Sequence, residues 1–263
     1  MSVLIEEFKN ANLFVSVPCY DCQINSNTVI GLMQLSSLAR AYDLQITMNF
    51  LHDSLVTRVR NRMADLFLAS PCTHHVLIDS DIEFQAADIL KLVALDKEFI
   101  AAPYPKKQIN WKRIKGAVQQ HPEIEPSMLE KIGADFVLNI VKKTDDGMTQ
   151  LQLAELNEVT DAGTGFMVIK RSVYEKMIAS GQVKAYKPMD DEPSFSGPTI
   201  YDFFRADLCP ETNNYLSEDY WFTRMWKRIG GEVWLAPWVK LNHWGLFCFR
   251  GDLLSIAETQ VNL

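Results

Sequence analysis

Residues 75–81, with the sequence HVLIDSD, decide the fold. Residues 76–78 form a short hydrophobic run that is typical of a buried strand in a parallel sheet, and Asp79 and Asp81 follow it directly. Ligands bind at the carboxyl ends of parallel strands, so we expect both carboxylates to face a crevice there. Their oxygens suit Mg²⁺ or Mn²⁺, although an aspartate pair after a strand also occurs as a simple turn.

Strand and helix patterns alternate around this stretch through the first part of the chain. Short apolar, β-branched runs predict strands, and apolar residues at helical spacing predict helices. We expect strands at residues 13–17, 46–51, 75–78 and 99–102, and helices at residues 29–38, 55–69 and 86–95. This β-α-β-α-β-α-β order predicts an α/β fold with a parallel sheet and right-handed crossovers.

The second part of the chain is less regular. A turn or loop is expected at residues 103–107, an antiparallel strand pair at residues 136–141 and 151–156, and a loop rich in Pro, Asp and Ser at residues 187–197. Further helices are expected at residues 126–132, 171–179 and 218–229, and further strands at residues 166–169 and 232–236. Because the chain shows no repeat or linker, we expect one domain over residues 1–263.

The balance of charged residues limits the kinds of molecule that the protein can bind. Lys plus Arg number 26 and Asp plus Glu 33 among 263 residues, which gives a net charge of −7 and a pI near 5.3. Such a chain has no broad basic surface, so nucleic acid is not expected as a partner. An anion would have to be held locally, by a few cations or by a metal.

Cysteine content and hydropathy indicate the compartment. The chain has 5 Cys, an odd number that favours reduced thiols, and the pair Cys19 and Cys22 has no second pair at zinc spacing. Residues 1–10 lack a basic stretch followed by an apolar run, and no apolar run is long enough to span a membrane. We therefore expect a cytoplasmic protein without a transmembrane segment.

One face of the helix predicted at residues 55–69 carries polar groups that could bind an anion. Arg58, Asn61 and Arg62 have the spacing i, i+3 and i+4, so they lie on one face. The alternative is an ordinary solvated face. Arg60 has a different direction and is expected to face solvent.

Two acids and one histidine late in the chain are candidates for a catalytic base and a metal ligand. Glu218 and Asp219 follow Ser217, a good N-cap, and capping alone would explain one of the acids. A second acid beside several aromatic residues suggests a carboxylate base facing a sugar-like acceptor. His243 follows a predicted strand and a loop and could supply the third metal ligand, whereas most single histidines have only a structural role.

Five of the 6 Trp residues lie within residues 221–244. We expect some of the rings of Trp221, Trp226 and Trp244 to contribute to the wall of the acceptor side. Trp234 and Trp238 are expected to pack in the core.

Taken in order, these motifs resemble the GT-A fold glycosyltransferases that use nucleotide sugars and include bacterial and viral members. The ordered set consists of a first strand ending at Pro18, the helix with Arg58, Asn61 and Arg62, the D-S-D stretch at residues 79–81, the G-T-G stretch at residues 163–165, the E-D pair at residues 218–219, Arg224, Gly230 and His243. The resemblance covers about residues 12–245. It implies a Rossmann-related, mixed and mainly parallel sheet flanked by helices, with a nucleotide-binding half at about residues 12–105 and an acceptor-binding half at about residues 106–250.

The resemblance also implies roles for single residues. The nucleotide sugar would be contacted by Pro18, Cys19, Tyr20, Arg58, Asn61, Arg62, Asp79, Ser80, Gly163, Thr164 and Gly165. Mn²⁺ or Mg²⁺ would be bound by Asp79, Asp81 and His243. Asp219 would be the base that deprotonates the acceptor hydroxyl, and Glu218 competes for that role.

The implied activity is metal-dependent transfer of a hexosyl or deoxyhexosyl group from a nucleoside-diphosphate sugar to a hydroxyl acceptor such as a glycan. A base in line with the bond that breaks favours inversion at the anomeric carbon, and retention stays open. A nucleotidyltransferase acting on a sugar phosphate is one alternative, but it usually needs a glycine-rich loop after the first strand, and residues 17–26 contain no glycine. A carbohydrate-binding protein without catalysis is the other alternative, because clustered Trp rings suit sugar stacking.

Overall fold

The computed structural model describes residues 10–136, 139–140, 151–189, 197–245 and 249–258. In this part of the chain the helices are α1 (Ser26–Ala41), α2 (Val56–Ala69), α3 (Ala86–Ala94), α4 (Trp111–Gln120), α5 (Pro126–Ile132), α6 (Arg171–Ala179), α7 (Glu218–Arg228) and α8 (Leu253–Glu258). The strands are β1 (Asn12–Pro18), β2 (Gln45–Leu51), β3 (His74–Ile78), β4 (Ile82–Glu83), β5 (Phe99–Ala101), β6 (Pro105–Ile109), β7 (Ala134–Phe136), β8 (Asn139–Ile140), β9 (Asn157–Asp161), β10 (Phe166–Lys170), β11 (Ala185–Tyr186), β12 (Ile200–Tyr201), β13 (Asp207–Leu208), β14 (Tyr215–Leu216), β15 (Trp234–Leu235), β16 (Asn242–His243) and β17 (Phe249–Arg250).

The central sheet has the strand order β2-β1-β3-β10-β5-β15-β9-β8. Strands β2, β1, β3, β5, β15 and β8 run in one direction, while β10 and β9 run in the opposite direction. The prediction of a mixed, mainly parallel sheet with flanking helices is therefore confirmed, and the architecture is that of a Rossmann-related α/β fold.

The direction of chain progression changes beside β1. After β1 the chain passes through α1 to β2 on one side, and it then crosses back through α2 to β3 on the other side. A crevice opens at such a switch point, outside the carboxyl ends of the two diverging strands. Pro18 ends β1 and Asp79 follows β3, so both lie at this edge of the sheet.

Helices cover both faces of the sheet because side chains alternate along its strands. Leu13 and Val15 of β1 pack on one face against residues of α1 and α3. Phe14, which lies between them, packs on the other face with residues of α2, α6 and α7. The result is three layers with two hydrophobic cores, as expected for strands buried on both faces.

A small sheet next to the central one determines where the end of the chain meets the D-S-D stretch. Its strand order is β17-β16-β4, and β4 begins directly after Asp81. His243 of β16 lies opposite Ile82 of β4. This pairing brings together residues that are far apart in sequence.

The structure differs from the sequence prediction mainly between the two halves of the chain. Residues 103–107, expected as a turn or loop, largely belong to β6, which pairs with β7. Helix α4 was not predicted, although Asn110 caps it by accepting a hydrogen bond from the backbone N–H of Arg113 at 2.9 Å. The strand expected at residues 151–156 was placed too early, because β9 begins at Asn157.

Two predicted loops fall largely where no structure is described. The turn expected between the paired strands, at residues 145–147, lies outside the described residues, and so do residues 190–196 of the predicted loop. Among the helices that are described, none combines the length and the apolar character that crossing a membrane requires.

Candidate active site

A crevice of about 200 Å³ lies at the switch point of the sheet. It is lined by Pro18, Cys19, Tyr20, Asp53, Val56, Val59, Arg60, Asp79, Ser80, Asp81 and His243. The side chains at its mouth include Tyr20, which is 72% exposed, and Val56, which is 43% exposed. Exposed apolar surface of this kind can stack against a flat ring, while the carboxylates lie deeper.

Asp81 and His243 form the most distinctive pair in the crevice. The Nε2 atom of His243 lies 3.3 Å from Oδ1 of Asp81. The backbone N–H of Trp244 donates to the carbonyl oxygen of Asp81 at 2.8 Å, which fixes β16 beside the D-S-D stretch. The sequence prediction placed both residues in one site, and the structure does bring them together.

The protonation of His243 follows from its second contact. Nδ1 lies 2.8 Å from the carbonyl oxygen of Pro105, which can only accept, so Nδ1 carries the hydrogen. In the neutral ring, Nε2 then presents a lone pair to the Asp81 carboxylate, which also only accepts. This contact is favourable when a cation is present, either a proton on Nε2 or a metal ion between the two groups. A backbone carbonyl that orients the ring is also the usual partner of a metal-binding histidine.

Lys107 already binds Asp81 on its other side. The ammonium group of Lys107 donates a short hydrogen bond to Oδ2 of Asp81. Burial raises the pKa of the Asp81 carboxyl, but hydrogen bonds with His243 and Lys107 outweigh it and hold this pKa below its usual range. The carboxylate therefore stays ionised and available to a cation at neutral pH.

The residues in the crevice fit a metal ion that a ligand helps to coordinate. Within the described part of the chain, no group of three His, Cys, Asp or Glu residues is arranged to hold a metal alone. Mg²⁺ is commonly bound by one or two protein ligands together with substrate phosphates. Asp81 and His243 could supply such a partial set, provided that Lys107 releases its carboxylate oxygen.

Arg60 connects the D-S-D stretch to the acid pair on α7. Its Nη2 atom donates to Oδ1 of Asp79 at 2.8 Å, and its Nε atom lies 3.5 Å from Oε1 of Glu218. Arg60 is only 4% exposed, and its Nε and Nη1 atoms form no hydrogen bond with any described group. The prediction that Arg60 faces solvent is therefore wrong. Residues 56, 59 and 60 of α2 face the crevice, and buried carboxylates compensate the charge of the guanidinium.

The helix face formed by Arg58, Asn61 and Arg62, which was proposed to contact a nucleotide, lies outside the crevice lining. Arg58 binds Asp53, with 2.6 Å between its Nε atom and Oδ2, and it reaches the crevice only through that carboxylate. Asn61 donates to Asp202 at 2.9 Å and accepts from the backbone N–H of Phe204 at 2.8 Å. Its amide holds a neighbouring segment in place. Neither Arg58 nor Asn61 is among the residues that line the crevice, and their nucleotide contacts stay predictions.

Arg62 is also outside the crevice lining. Its Nε atom is buried and has no hydrogen-bond partner among the described groups. The nucleotide contact of Arg62 stays a prediction. The part of α2 that does line the crevice consists of Val56, Val59 and Arg60.

Glu218 and Asp219 open α7 and are not among the residues that line the crevice, but Glu218 lies against Arg60, which does. Ser217 donates a short hydrogen bond to Oδ1 of Asp219, and the backbone N–H of Tyr220 donates to the same oxygen at 2.8 Å. Burial raises the pKa of both carboxyls above the usual range, and for Asp219 the nearby charge of Asp79 adds to the increase. A raised carboxyl pKa is what a general base near neutral pH requires.

The G-T-G stretch does not line the crevice directly but packs against Tyr104. A Cβ atom added to Gly163 would lie 2.3 Å from the Tyr104 hydroxyl oxygen, and one added to Gly165 would lie 2.7 Å from its ring. Burial raises the pKa of the Tyr104 hydroxyl above its usual range. The ring also meets His243 edge-on, with 5.5 Å between ring centroids. Tyr104 therefore links the glycines to the histidine.

The Trp residues are more buried than expected. Trp221 is 7% exposed and Trp226 is 2% exposed, and both belong to one hydrophobic core. The expectation that these two rings form the acceptor wall is wrong, because they lie on the core-facing side of α7. Trp244 instead donates a hydrogen bond to Glu83 at 2.7 Å, and Trp234 and Trp238 pack against the other core as expected.

Sequence reasoning missed several crevice residues, although some left a signal. Asp53, Val56 and Arg60 line the crevice, and Lys107 contacts it. Val56 and Arg60 are four residues apart, which places them on one helical face. Lys107 lies in residues 103–107, for which the sequence predicts a turn or loop, so no strand or helix pattern indicates that its side chain reaches the crevice.

No protein-family model and no curated protein matches this chain. Among solved structures, it is similar to A197 from STIV, with a TM-score of 0.49 and 13% sequence identity over 92% of this chain and 94% of that chain. It is also similar to 4-diphosphocytidyl-2C-methyl-D-erythritol synthase from Anaerococcus prevotii DSM 20548, with a TM-score of 0.32 and 10% identity over 85% of this chain and 99% of that chain. Function must therefore be argued from the geometry of the crevice.

Proposed function

We propose that this protein is a metal-dependent glycosyltransferase that uses a nucleoside-diphosphate sugar and a hydroxyl acceptor and inverts the configuration of the anomeric carbon. The observation that carries the proposal is the contact of 3.3 Å between His243 Nε2 and Asp81 Oδ1 at the switch point of the sheet. A metal ion held between these two atoms would make the contact favourable, and ligands of α/β folds bind at this position.

The size of the crevice fits part of a nucleotide sugar. Complete small-molecule sites usually measure about 300–1,000 Å³, so a crevice of about 200 Å³ would enclose the diphosphate and leave the remainder near its mouth. The base would lie against Tyr20 and Pro18, the ribose near Asp79 and Ser80, and the diphosphate near Asp81. The sugar would then extend toward the start of α7.

In the proposed reaction, the acceptor oxygen forms a bond to the anomeric carbon while the bond from that carbon to the diphosphate oxygen breaks. The acceptor proton passes to the carboxylate of Asp219, whose burial makes it more basic than an exposed aspartate. Arg60 holds Asp79 and Glu218 in place across the crevice. A bound Mg²⁺ or Mn²⁺ would offset the negative charge that develops on the departing diphosphate.

The burial of the Trp residues favours catalysis over simple carbohydrate binding. The binding-only alternative relied on Trp rings that stack against sugars, but Trp221 and Trp226 are buried in the core. A binding module also has no use for two buried carboxylates at the end of a helix beside a crevice. We therefore keep the catalytic proposal.

Calorimetry with UDP and GDP, each with and without Mn²⁺, tests the proposal. We expect one nucleotide to bind with Mn²⁺ and at least tenfold more weakly without it, because the metal neutralises the diphosphate. Asp81→Asn and His243→Asn should each remove most of this Mn²⁺ dependence. The matched control His121→Asn alters a histidine outside the crevice and should bind like the unchanged protein. Nucleotide binding that is equally tight without Mn²⁺ would refute the metal-dependent mechanism.

A further inference from the structure

Basic residues are concentrated in one segment of this acidic protein. Residues 105–120 contain Lys106, Lys107, Lys112, Arg113 and Lys115 and no acidic residue, whereas the whole chain has a net charge of −7. This segment forms β6 and α4. We call the exposed side chains of Lys106, Trp111, Lys112 and Lys115 the basic strip.

Three lysines of the basic strip have no counter-charge among the residues that the structure describes. Arg113 pairs with Asp135 at 2.8 Å and Lys107 pairs with Asp81, but Lys106, Lys112 and Lys115 form no ion pair with any described residue. Elsewhere in the described chain, lysines paired with carboxylates are Lys91, Lys170, Lys176, Lys227 and Lys240. The positive charge of the strip is therefore available to an anion from outside the chain.

An exposed aromatic ring lies among these charges. Trp111 is 69% exposed at the first position of α4, and Lys112 and Lys115 follow it on the adjacent surface of the helix. An indole left in water at such a position offers a flat apolar surface to a ligand. Indole and ammonium groups together suit a ligand with both ring faces and negative charges.

The basic strip adjoins Lys107, a residue outside the strip that reaches the candidate active site. Lys107 touches Asp81, and Trp111 follows four residues later, within about 13 Å along an extended chain. A linear molecule with one end near Asp81 could therefore continue along β6 onto α4. The charged residues that limit the strip are Asp135, which Arg113 neutralises, and the exposed Glu123 and Glu125 beyond the far end of α4.

We propose that the basic strip binds the acceptor and that this acceptor is an anionic glycan, a polymer with carboxylate or sulfate groups. The proposal rests on the proposed glycosyltransferase function and assigns a substrate class to it. Trp111 stacks on a sugar ring, while Lys112 and Lys115 bind the acidic groups of neighbouring units. A membrane surface fits less well, because the apolar face of α4, formed by Trp111, Ile114 and Val118, is short and Ile114 is partly covered.

Titration with tetragalacturonate at low ionic strength tests this proposal, with neutral maltotetraose as the comparison. We expect the unchanged protein to bind tetragalacturonate and to bind maltotetraose far more weakly. The double variant Lys112→Gln/Lys115→Gln should bind tetragalacturonate about tenfold more weakly, since two charge contacts are lost. Trp111→Ala should also weaken binding while leaving its salt dependence unchanged, because the charges remain.

A matched pair of lysines outside the strip provides the control. Lys184 and Lys187 are exposed and form no ion pair with a described residue, so Lys184→Gln/Lys187→Gln removes the same charge from another surface. This control should bind tetragalacturonate like the unchanged protein. Equal weakening of both double variants, or no binding by the unchanged protein, overturns the proposal. So does binding to phosphatidylcholine–phosphatidylglycerol vesicles without binding to tetragalacturonate.

The same proteins separate this proposal from the proposed function. Mn²⁺-dependent UDP or GDP binding uses the crevice residues and none of the substituted lysines. If nucleotide binding is intact and tetragalacturonate binding is absent, only the acceptor proposal fails. If nucleotide binding is absent in the unchanged protein, the proposed function itself fails.

Discussion

At the scale of single residues, the acid pair of α7 presents a choice between two bases. Oδ1 of Asp219 accepts hydrogen bonds from Ser217 and from the backbone N–H of Tyr220, whereas Glu218 lies near the guanidinium of Arg60. A carboxylate beside a fixed cation is a weaker base than one held by neutral donors. The geometry therefore favours Asp219 as the base and Glu218 as the partner of Arg60.

Asp219→Asn tests this choice. The amide oxygen can still accept both hydrogen bonds, so the fold and donor binding should be retained while transfer falls by at least about a hundredfold. Turnover with a suitable acceptor measures the rate of transfer, and calorimetry with nucleotide and Mn²⁺ measures donor binding. If Asp219→Asn retains near-normal turnover while Glu218→Gln loses it, Glu218 is the base.

Arg60 is the residue whose removal should disturb the crevice most. Arg60→Met leaves the half-buried carboxylates of Asp79 and Glu218 without their shared cation, and the loss of such a partner costs about 1–3 kcal/mol. Unfolding in urea should show this loss, while Arg40→Met, at an exposed position near the end of α1, should change stability little. Arg60→Lys should recover part of the stability, because it restores the charge without the planar fork. An Arg60→Met protein as stable as the unchanged one would contradict the bridging role.

The burial of Arg60 could not be predicted from the residues next to it in the sequence. Hydropathy assigns an arginine to solvent, and its two carboxylate partners come from residues 79 and 218, which only the tertiary fold brings together. By contrast, Asp79 and Asp81 could be placed from sequence, because a hydrophobic strand immediately precedes them. His243 was a weaker prediction, since it depended on the pairing of β16 with β4.

At the scale of elements, the predicted helices with a clear apolar period match the structure closely. Helix α2 was expected at residues 55–69 and occupies Val56–Ala69, and α6 occupies the expected residues Arg171–Ala179. Strand β6 was missed because residues 106–108 are all polar and exposed, which gives no alternation. Helix α4 was missed although Trp111, Ile114 and Val118 recur at helical spacing, because most of its residues are polar and Ala117 is its only buried residue.

The contact between the glycine stretch and Tyr104 gives a prediction at this scale. Gly165→Ala would place a Cβ atom 2.7 Å from the Tyr104 ring, which must then move toward His243. We expect a loss of about 1–3 kcal/mol in the free energy of unfolding, together with weaker Mn²⁺-dependent nucleotide binding. Both follow from one displacement, since Tyr104 packs against the histidine.

Gly116→Ala is the matched control. Gly116 lies inside α4, and an added Cβ atom there meets nothing within 4 Å. Alanine should therefore raise the free energy of unfolding by up to about 1 kcal/mol, because it favours the helix. Thermal unfolding of the two variants should give shifts of opposite sign. If Gly165→Ala also raised the melting temperature, the close packing of Tyr104 would be refuted.

At the scale of the whole molecule, one buried histidine lies within the central sheet beneath its helices. His75 of β3 is fully buried, with Nδ1 2.8 Å from the hydroxyl of Tyr174 and Nε2 2.8 Å from the hydroxyl of Ser16. Its ring also stacks on Phe67 with 4.8 Å between centroids. The imidazole thus joins β3, β1, α2 and α6, and its charge state affects the stability of the whole fold.

Burial, with a smaller contribution from Arg171, lowers the pKa of His75 from 6.5 to about 3. Because the folded protein holds this histidine neutral, the unfolded chain binds one more proton between these two pH values. Stability contributed by His75 is therefore complete above pH 6.5 and is lost as the pH falls toward 3, by up to about 1.4 kcal/mol per pH unit. His74, whose pKa burial lowers to about 4, acts in the same direction.

His75→Gln isolates this contribution. The amide can donate to one neighbouring hydroxyl and accept from the other, but it does not titrate. Urea unfolding at several pH values below 6.5 should show a smaller decline in stability than in the unchanged protein, even if the variant is less stable at neutral pH. His121→Gln, at a partly exposed histidine between α4 and α5, should leave the decline unchanged. If the His75→Gln protein loses stability with acid as steeply as the unchanged protein, His75 does not couple proton binding to unfolding, and the remaining acid sensitivity belongs to His74 and the carboxylates.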